Sequence, residues 1–324
     1  METNKLHLGD ACATLKTLPD ESIDLVVSSP PYDDLRNYNG YSFDFECIAS
    51  ELYRVLKKGG VVVWVIGDAV VKGSETGTSF KQALYFKEIG FNLHDTMIYE
   101  KNGPSFPARA SSNRYSQIFE YMFVFSKGKP KTANLKCDKE NRWVGWKGFG
   151  KQSQRTKEGK LDVYEKKDGV PMYSPRYNNW KPFNPYEELM KVWYQKLTKK
   201  YPEKDIDKLV AEAGAEVDNS FSDVPKEVWK YNTGLNFSTK DKIAFEHPAI
   251  FPEQLAEDHI LTWSNEEDIV LDPFLGSGTT TKMAVLNNRK YIGIELSKKY
   301  FGIAEQRMEL AKRIGKKKKQ KTLF

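Results

Sequence analysis

Apolar and polar positions along the chain follow two rhythms. From residue 5 to about 130, short β-rich runs alternate with stretches of helical period, the pattern of βαβ units that build a parallel sheet. "KLHL" predicts a short strand, "ACATLKTL" a helix and "SIDLVVS" a buried strand. "CIASELYRVLKKGG" predicts a helix closed by glycine, and "VVVWVIGD" a second buried strand. In "SFKQALYFKEIG" the spacing predicts a helix with Ser79 and Gln82 as a capping box and Gly90 as its stop. "LHDTMIYEK" and "FEYMFVFSKG" follow with no helix between them, which makes one of the two strands antiparallel.

The rhythm breaks between residues 131 and 240, where only "PYEELMKVWYQKLTKKY" has helical period, and then resumes. "FPEQLAEDHILTWS" predicts a helix, "DIVLDPF" a strand running into "LGSGTT", "TTKMAVLNN" a helix, "KYIGIEL" a strand and "SKKYFGIAEQRMELAKR" a last helix. The expected architecture is therefore α/β, with four parts. Residues 1–130 and 241–310 form the two halves of one domain, 131–240 an inserted region, and 311–324 a basic tail.

Composition narrows the class. The 324 residues are 40% hydrophobic, enough for a sizeable core, and no run approaches the ~18 apolar residues of a membrane span. The polar start "METNKLHLGD" lacks a secretory core, so the expectation is a soluble, cytoplasmic protein without a membrane partner. Cys12, Cys47 and Cys137 are scattered singly, which argues against a disulfide framework or a structural metal. The net charge of +6 is uneven: residues 311–324 carry seven Lys or Arg and no acid, which suits a polyanion partner or a solvated tail.

"DPFLGSGTT" places Gly276 and Gly278 at a strand-to-helix turn, and Glu295 ends the next strand 17 residues after Gly278. That spacing is close to the ~20 residues at which an acid accepts hydrogen bonds from a ribose. A dinucleotide favours a third glycine and a triphosphate a Lys-Ser/Thr pair, and the sequence has neither. An adenosine cofactor without phosphate fits best, S-adenosylmethionine being one, with Asp272 expected to pair with its ammonium or sulfonium. Alone, the same residues describe an ordinary tight turn and a surface acid.

The second candidate is "DLVVSSPPYDD", where a buried strand ends at Ser29, Pro30, Pro31 and Tyr32. Consecutive prolines fix backbone angles and offer no N–H, so the carbonyls of Ser29 and Pro30 need outside donors. An exocyclic amino group of a nucleobase has two such protons, and the Ser29 hydroxyl accepts the second while Tyr32 offers a ring for stacking. Pro-Pro by itself is also a plain strand terminator. Its position at the carboxyl end of a parallel-type strand, where open α/β sheets bind ligands, ties it to the glycine loop.

With both motifs present the chain resembles the DNA methyltransferases that modify adenine N6 or cytosine N4. "SPPY", "HPAIFP", "DPFLGSGTT" and "YIGIEL" occur in the order of their circularly permuted β class, over residues 5–130 and 245–310. The resemblance implies an S-adenosylmethionine-dependent methyltransferase fold, with seven strands, one antiparallel, and helices on both faces. It places the target amine between Ser29 and the Pro30 carbonyl, with Tyr32 on the flipped base. Phe251, Pro252, Asp272, Phe274, Gly276, Gly278 and Thr279 would surround the methionine part of the cofactor, Glu295 its ribose and Asp10 its adenine. Cytosine C5 chemistry needs a thiolate, and no cysteine follows a proline as in that other family.

Residues 131–181 hold thirteen Lys or Arg against six acids, interleaved with aromatics such as Trp143, Trp146 and Trp180. The resemblance makes this segment the target-recognition region for double-stranded DNA; a solvated loop over a small aromatic core is the plainer reading. Arg36, Lys147, Arg155, Arg176 and Lys181 are the candidate DNA contacts. A homodimer and a cognate restriction endonuclease are possible partners in family terms. Ser29 leans toward cytosine N4, with adenine N6 the alternative. Other classes are an RNA or protein-glutamine methyltransferase, a non-catalytic DNA-binding protein on a decayed scaffold, and a nicotinamide-dependent dehydrogenase.

Overall fold

The computed structural model describes residues 2–31, 44–103, 113–135, 150–156, 160–166, 228–234 and 236–321, with backbone alone at 150–155, 163–166 and 315–321. The chain forms two compact units, Met1–Lys136 with Lys226–Phe324, and Cys137–Pro225. The first unit opens with β1 (Lys5–Leu8), α1 (Ala11–Leu15), β2 (Ile23–Ser28), α2 (Phe45–Val55) and β3 (Leu56–Ile66). A small ribbon of β4 (Val70–Val71) and β5 (Ser74–Glu75) follows, then α3 (Thr78–Glu88), β6 (Asn92–Lys101) and β7 (Phe119–Ser126). In the second unit β8 (Gly150–Arg155) pairs antiparallel with β9 (Leu161–Lys166). The first unit resumes with β10 (Val228–Tyr231), a 3-10 turn at Lys242–Glu246, α4 (Glu253–Trp263), β11 (Ile269–Asp272), α5 (Thr279–Leu286), β12 (Lys290–Glu295) and α6 (Lys298–Lys321).

The main sheet runs β1-β12-β11-β2-β3-β7-β6-β10. Among the described strands of this sheet only β7 is antiparallel to its neighbours, one odd strand as the sequence pattern predicts. Seven strands thus match the expected sheet, and β10 adds an eighth at the edge by pairing parallel with β6. Alternate residues of β3 enter two cores: Val62, Trp64 and Ile66 pack with α1, α2 and α3, while Val61, Val63 and Val65 pack with α4 and α5. Burial on both faces is why these strands read as unbroken apolar runs. No helix among the described residues is long and apolar enough to cross a membrane.

Several local expectations change. α2 stops at Val55 rather than at the glycines, because Leu56 is already in β3, paired with Ile23 and fully buried. Gly59 and Gly60 serve the irregular β2–β3 register instead: a Cβ on Gly60 would lie 2.7 Å from Leu56 Cγ and 2.9 Å from the Asp24 carbonyl. Gly60→Ala is expected to cost about 1–3 kcal/mol, read as a lower urea midpoint at unchanged slope.

The capping box of α3 does not form, since Gly77 is the cap. Ser79 donates to Asp68, and Gln82 accepts from the Trp64 indole at 2.8 Å, so tertiary partners outbid the local ones. Gly90 does end α3: with φ +112° it donates to the Lys87 carbonyl while Phe91 donates to that of Phe86, the paired bonds of a Schellman stop. Cys12 on α1 and Cys47 on α2 are paired, with Cα atoms 6.1 Å apart, a single pair where the sequence argued against a disulfide framework. Their separation of 35 residues gave no local signature, because helix packing brings them together. The helical stretch expected at 185–201 lies outside the described residues.

Candidate active site

From β11 the chain crosses to β12 on one side of the sheet, and from β2 to β3 on the other. The crevice between the carboxyl ends of β11 and β2 is thus a topological switch point, where open α/β sheets bind ligands. A cavity of about 310 Å³ opens there.

The turn after β11 forms one wall. Gly276 and Gly278 have φ of +52° and +82°, left-handed values that glycine adopts without strain. A Cβ on Gly276 would come within 3.1 Å of His247 Nε2, so glycine also keeps this wall open. Glu295, ending β12, accepts the Gly276 N–H and the Ser297 N–H, each at 2.8 Å, through its two oxygens. Burial raises its pKa against those hydrogen bonds. Asp10 lines the same end and caps α1 by accepting from the Ala13 N–H at 2.8 Å.

Ser29, Pro30 and Pro31 line the same cavity, so the two motifs found separately in the sequence face one space. Asp272 joins them from behind. It is buried, its Oδ1 accepting from the Ser28 hydroxyl at 2.6 Å and from the Phe274 N–H at 3.1 Å. Its Oδ1 is thus bonded within the protein, and Asp272 stands next to the residues that line the cavity without being one of them. Burial pushes its carboxyl up to about 6, against the hydrogen bonds from Ser28 and Phe274.

Phe251, Phe274 and Thr279 line the cavity; Pro252 caps α4 and Gly278 caps α5, both behind the lining. Tyr32, Arg36, Lys147, Arg176 and Lys181 lie outside the described residues, and of Arg155 only the backbone, on β8, is described. Sequence reasoning missed His247, Tyr300, Tyr99, Lys101 and Glu120, which also line the cavity. His247 packs edge-on against Tyr300 at 4.3 Å; it is the first residue of the quoted "HPAIFP", from which only Phe251 and Pro252 were singled out. Lys101 and Glu120 pair across β6 and β7, and burial pushes the Tyr99 phenol up. Their signal is tertiary, since strand ends far apart in sequence meet only in the sheet.

The chain is 52% identical over 294 residues to the orphan methyltransferase M.BamHII of Bacillus amyloliquefaciens, covering 91% of each. Among solved structures it superposes on the PvuII DNA methyltransferase (cytosine-N4-specific) with a TM-score of 0.57, at 18% identity over 98% of this chain and 92% of that one. It superposes on TTHA0409 of Thermus thermophilus, complexed with S-adenosyl-L-methionine, with a TM-score of 0.51, at 22% identity over 95% of each chain. These two likenesses establish a methyltransferase fold. The match to the N6/N4 DNA methylase family spans residues 23–306, and the chain belongs to that family: it is an S-adenosylmethionine-dependent DNA amino-methyltransferase.

Proposed function

We propose that the chain methylates the N4 amine of cytosine in double-stranded DNA, with the base flipped into the cavity beside the Ser29 corner. The observation that carries this is the shared cavity: Ser29, Pro30 and Pro31 face the space lined by the glycine turn. The residues fit the cofactor. A glycine turn without side chains, the Glu295 carboxylate and the phenyl rings of Phe251 and Phe274 offer a close backbone approach, an acceptor for hydroxyls and apolar walls.

S-adenosylmethionine supplies a methyl group on a sulfonium, which becomes the thioether of S-adenosylhomocysteine as the S–C bond breaks and the amine nitrogen bonds to carbon. The Ser29 hydroxyl and the Pro30 carbonyl accept the two N–H bonds of the amine. They thereby orient its lone pair and stabilise the positive charge that grows on nitrogen until one proton leaves to solvent. Tyr32 stacks on the base, offsetting the few kcal/mol that flipping costs. The lean to cytosine rests on serine at the first position of "SPPY".

The same reading assigns residues 131–240 to target recognition, with Lys147, Arg155, Arg176 and Lys181, and Arg36 beside the corner, on the DNA. Binding to duplex DNA is then expected to fall about a thousandfold or more between 50 and 200 mM salt; an affinity indifferent to salt removes this docking surface. A second copy of the chain and a cognate restriction endonuclease are the further partners this reading carries. Expression in methylation-free cells followed by single-molecule sequencing tests the whole, with Ser29→Ala as control. Modified cytosines at one short motif are expected with the wild type alone.

A further inference from the structure

Behind the glycine turn lies a cluster of charges that the chemistry above does not use. Arg307, on α6, has no solvent exposure. Its guanidinium donates to the Ser277 carbonyl at 2.7 Å, to the Ser277 hydroxyl at 3.0 Å and to the Thr279 hydroxyl at 3.2 Å. Its other nitrogens donate to Asp241 Oδ2 at 3.0 Å and Glu253 Oε1 at 2.5 Å. Lys282, on α5, is also buried and donates to the same Asp241 and Glu253 oxygens, at 2.7 Å each. Two cations thus face two carboxylates. Burial acts to raise the Asp241 pKa, but the hydrogen bonds from Lys282 and Arg307 outweigh it and hold the carboxyl below its ordinary value.

Such a cluster is a costly way to glue helices together, since an apolar replacement of equal volume is often as stable. What an apolar group cannot do is hold a polar turn in place. Arg307 reaches two walls of the cavity at once. One is the turn Ser277–Thr279. The other is the segment from Asp241 to Glu253, which supplies Phe245, His247 and Phe251 to the lining. Both ends of that segment are tied: Asp241 at its start and Glu253 at the first turn of α4. The planar fork of arginine bonds the turn with one nitrogen and the carboxylates with the other two, a division an ammonium cannot reproduce.

We propose that Arg307 is a positioning residue for methyl transfer: it sets the spacing between the glycine turn and the Phe251 wall, and so the affinity for S-adenosylmethionine. This rests on the functional reading above, which places that cofactor in the cavity. Two variants separate positioning from folding. Arg307→Lys keeps the charge and loses the fork. Arg307→Met with Glu253→Gln removes one charge of each sign and leaves Lys282 with Asp241.

Calorimetry with S-adenosylmethionine on the full chain is expected to show at least tenfold weaker binding in both. In turnover, KM for the cofactor rises at least tenfold while KM for DNA stays within twofold. Arg307→Lys is expected to melt closer to the wild type than Arg307→Met with Glu253→Gln does, without recovering cofactor affinity. Cofactor affinity within twofold of wild type in either variant overturns the proposal. So does affinity that rises and falls with melting temperature across the series, or a failure of both variants to fold, which assigns the cluster to stability. A wild type that binds no S-adenosylmethionine overturns the functional reading as well.

Discussion

Replacing Ser29 by alanine is expected to slow methyl transfer about a hundredfold to a thousandfold at saturating cofactor, the usual loss when one hydrogen bond aimed at developing charge is removed. As the amine nitrogen attacks, its N–H bonds become more acidic, and acceptors already in place are worth more in the transition state than in the ground state. The Pro30 carbonyl is held by the proline pair and survives the substitution, so activity falls without vanishing. The binding of S-adenosylmethionine is expected to change less than threefold, because Ser29, just after β2, is not among the residues proposed to hold the cofactor. Single-turnover rates measured beside cofactor affinity check both halves of this expectation. A parallel loss of both would mean that Ser29 shapes the cavity instead of holding the amine.

Asp272 carries the second large effect. Its carboxylate touches both motifs, through the Ser28 hydroxyl and the Phe274 N–H. Asp272→Ala leaves these buried donors without an acceptor, at about 1–3 kcal/mol for each, and is expected to lower stability by about 3–5 kcal/mol. Its ionisation also makes stability depend on pH.

Burial raises the folded carboxyl from 3.8 to about 6, so between those values the folded chain holds a proton that the unfolded chain has lost. This group therefore favours folding most at low pH, and its contribution is lost as pH rises through 6. Asp272→Asn removes that dependence. Relative to wild type it is expected to gain about 2 kcal/mol between pH 4 and pH 8, measured by urea unfolding across that range. Curves for the two proteins that run parallel in pH would show that Asp272 does not titrate there.

The parallel sheet was legible because β2 and β3 are buried on both faces and therefore read as apolar runs, and the odd strand β7 because no sequence of helical period separates it from β6. The glycine turn was legible because a positive φ leaves a mark in composition, and the proline corner because fixed carbonyls do too. Legibility failed where a residue's partner is remote. Ser79 and Gln82 have the spacing of a cap, yet Asp68 and Trp64 claim them. The Ser28 hydroxyl bonds Asp272 across 244 residues of chain, which no local pattern announces. Arg307 sits in a basic, amphipathic helix whose sequence gives no hint that this one cation points inward to Ser277. Such assignments depend on which strand ends the sheet order brings together.

Digestion of duplex DNA treated with the protein and methyl-labelled S-adenosylmethionine, followed by mass spectrometry of the nucleosides, tests the central claim most directly. The label is expected in N4-methylcytosine and nowhere else, and its rate of incorporation to collapse with Ser29→Ala. Label found only in N6-methyladenine would contradict the assignment of the target base.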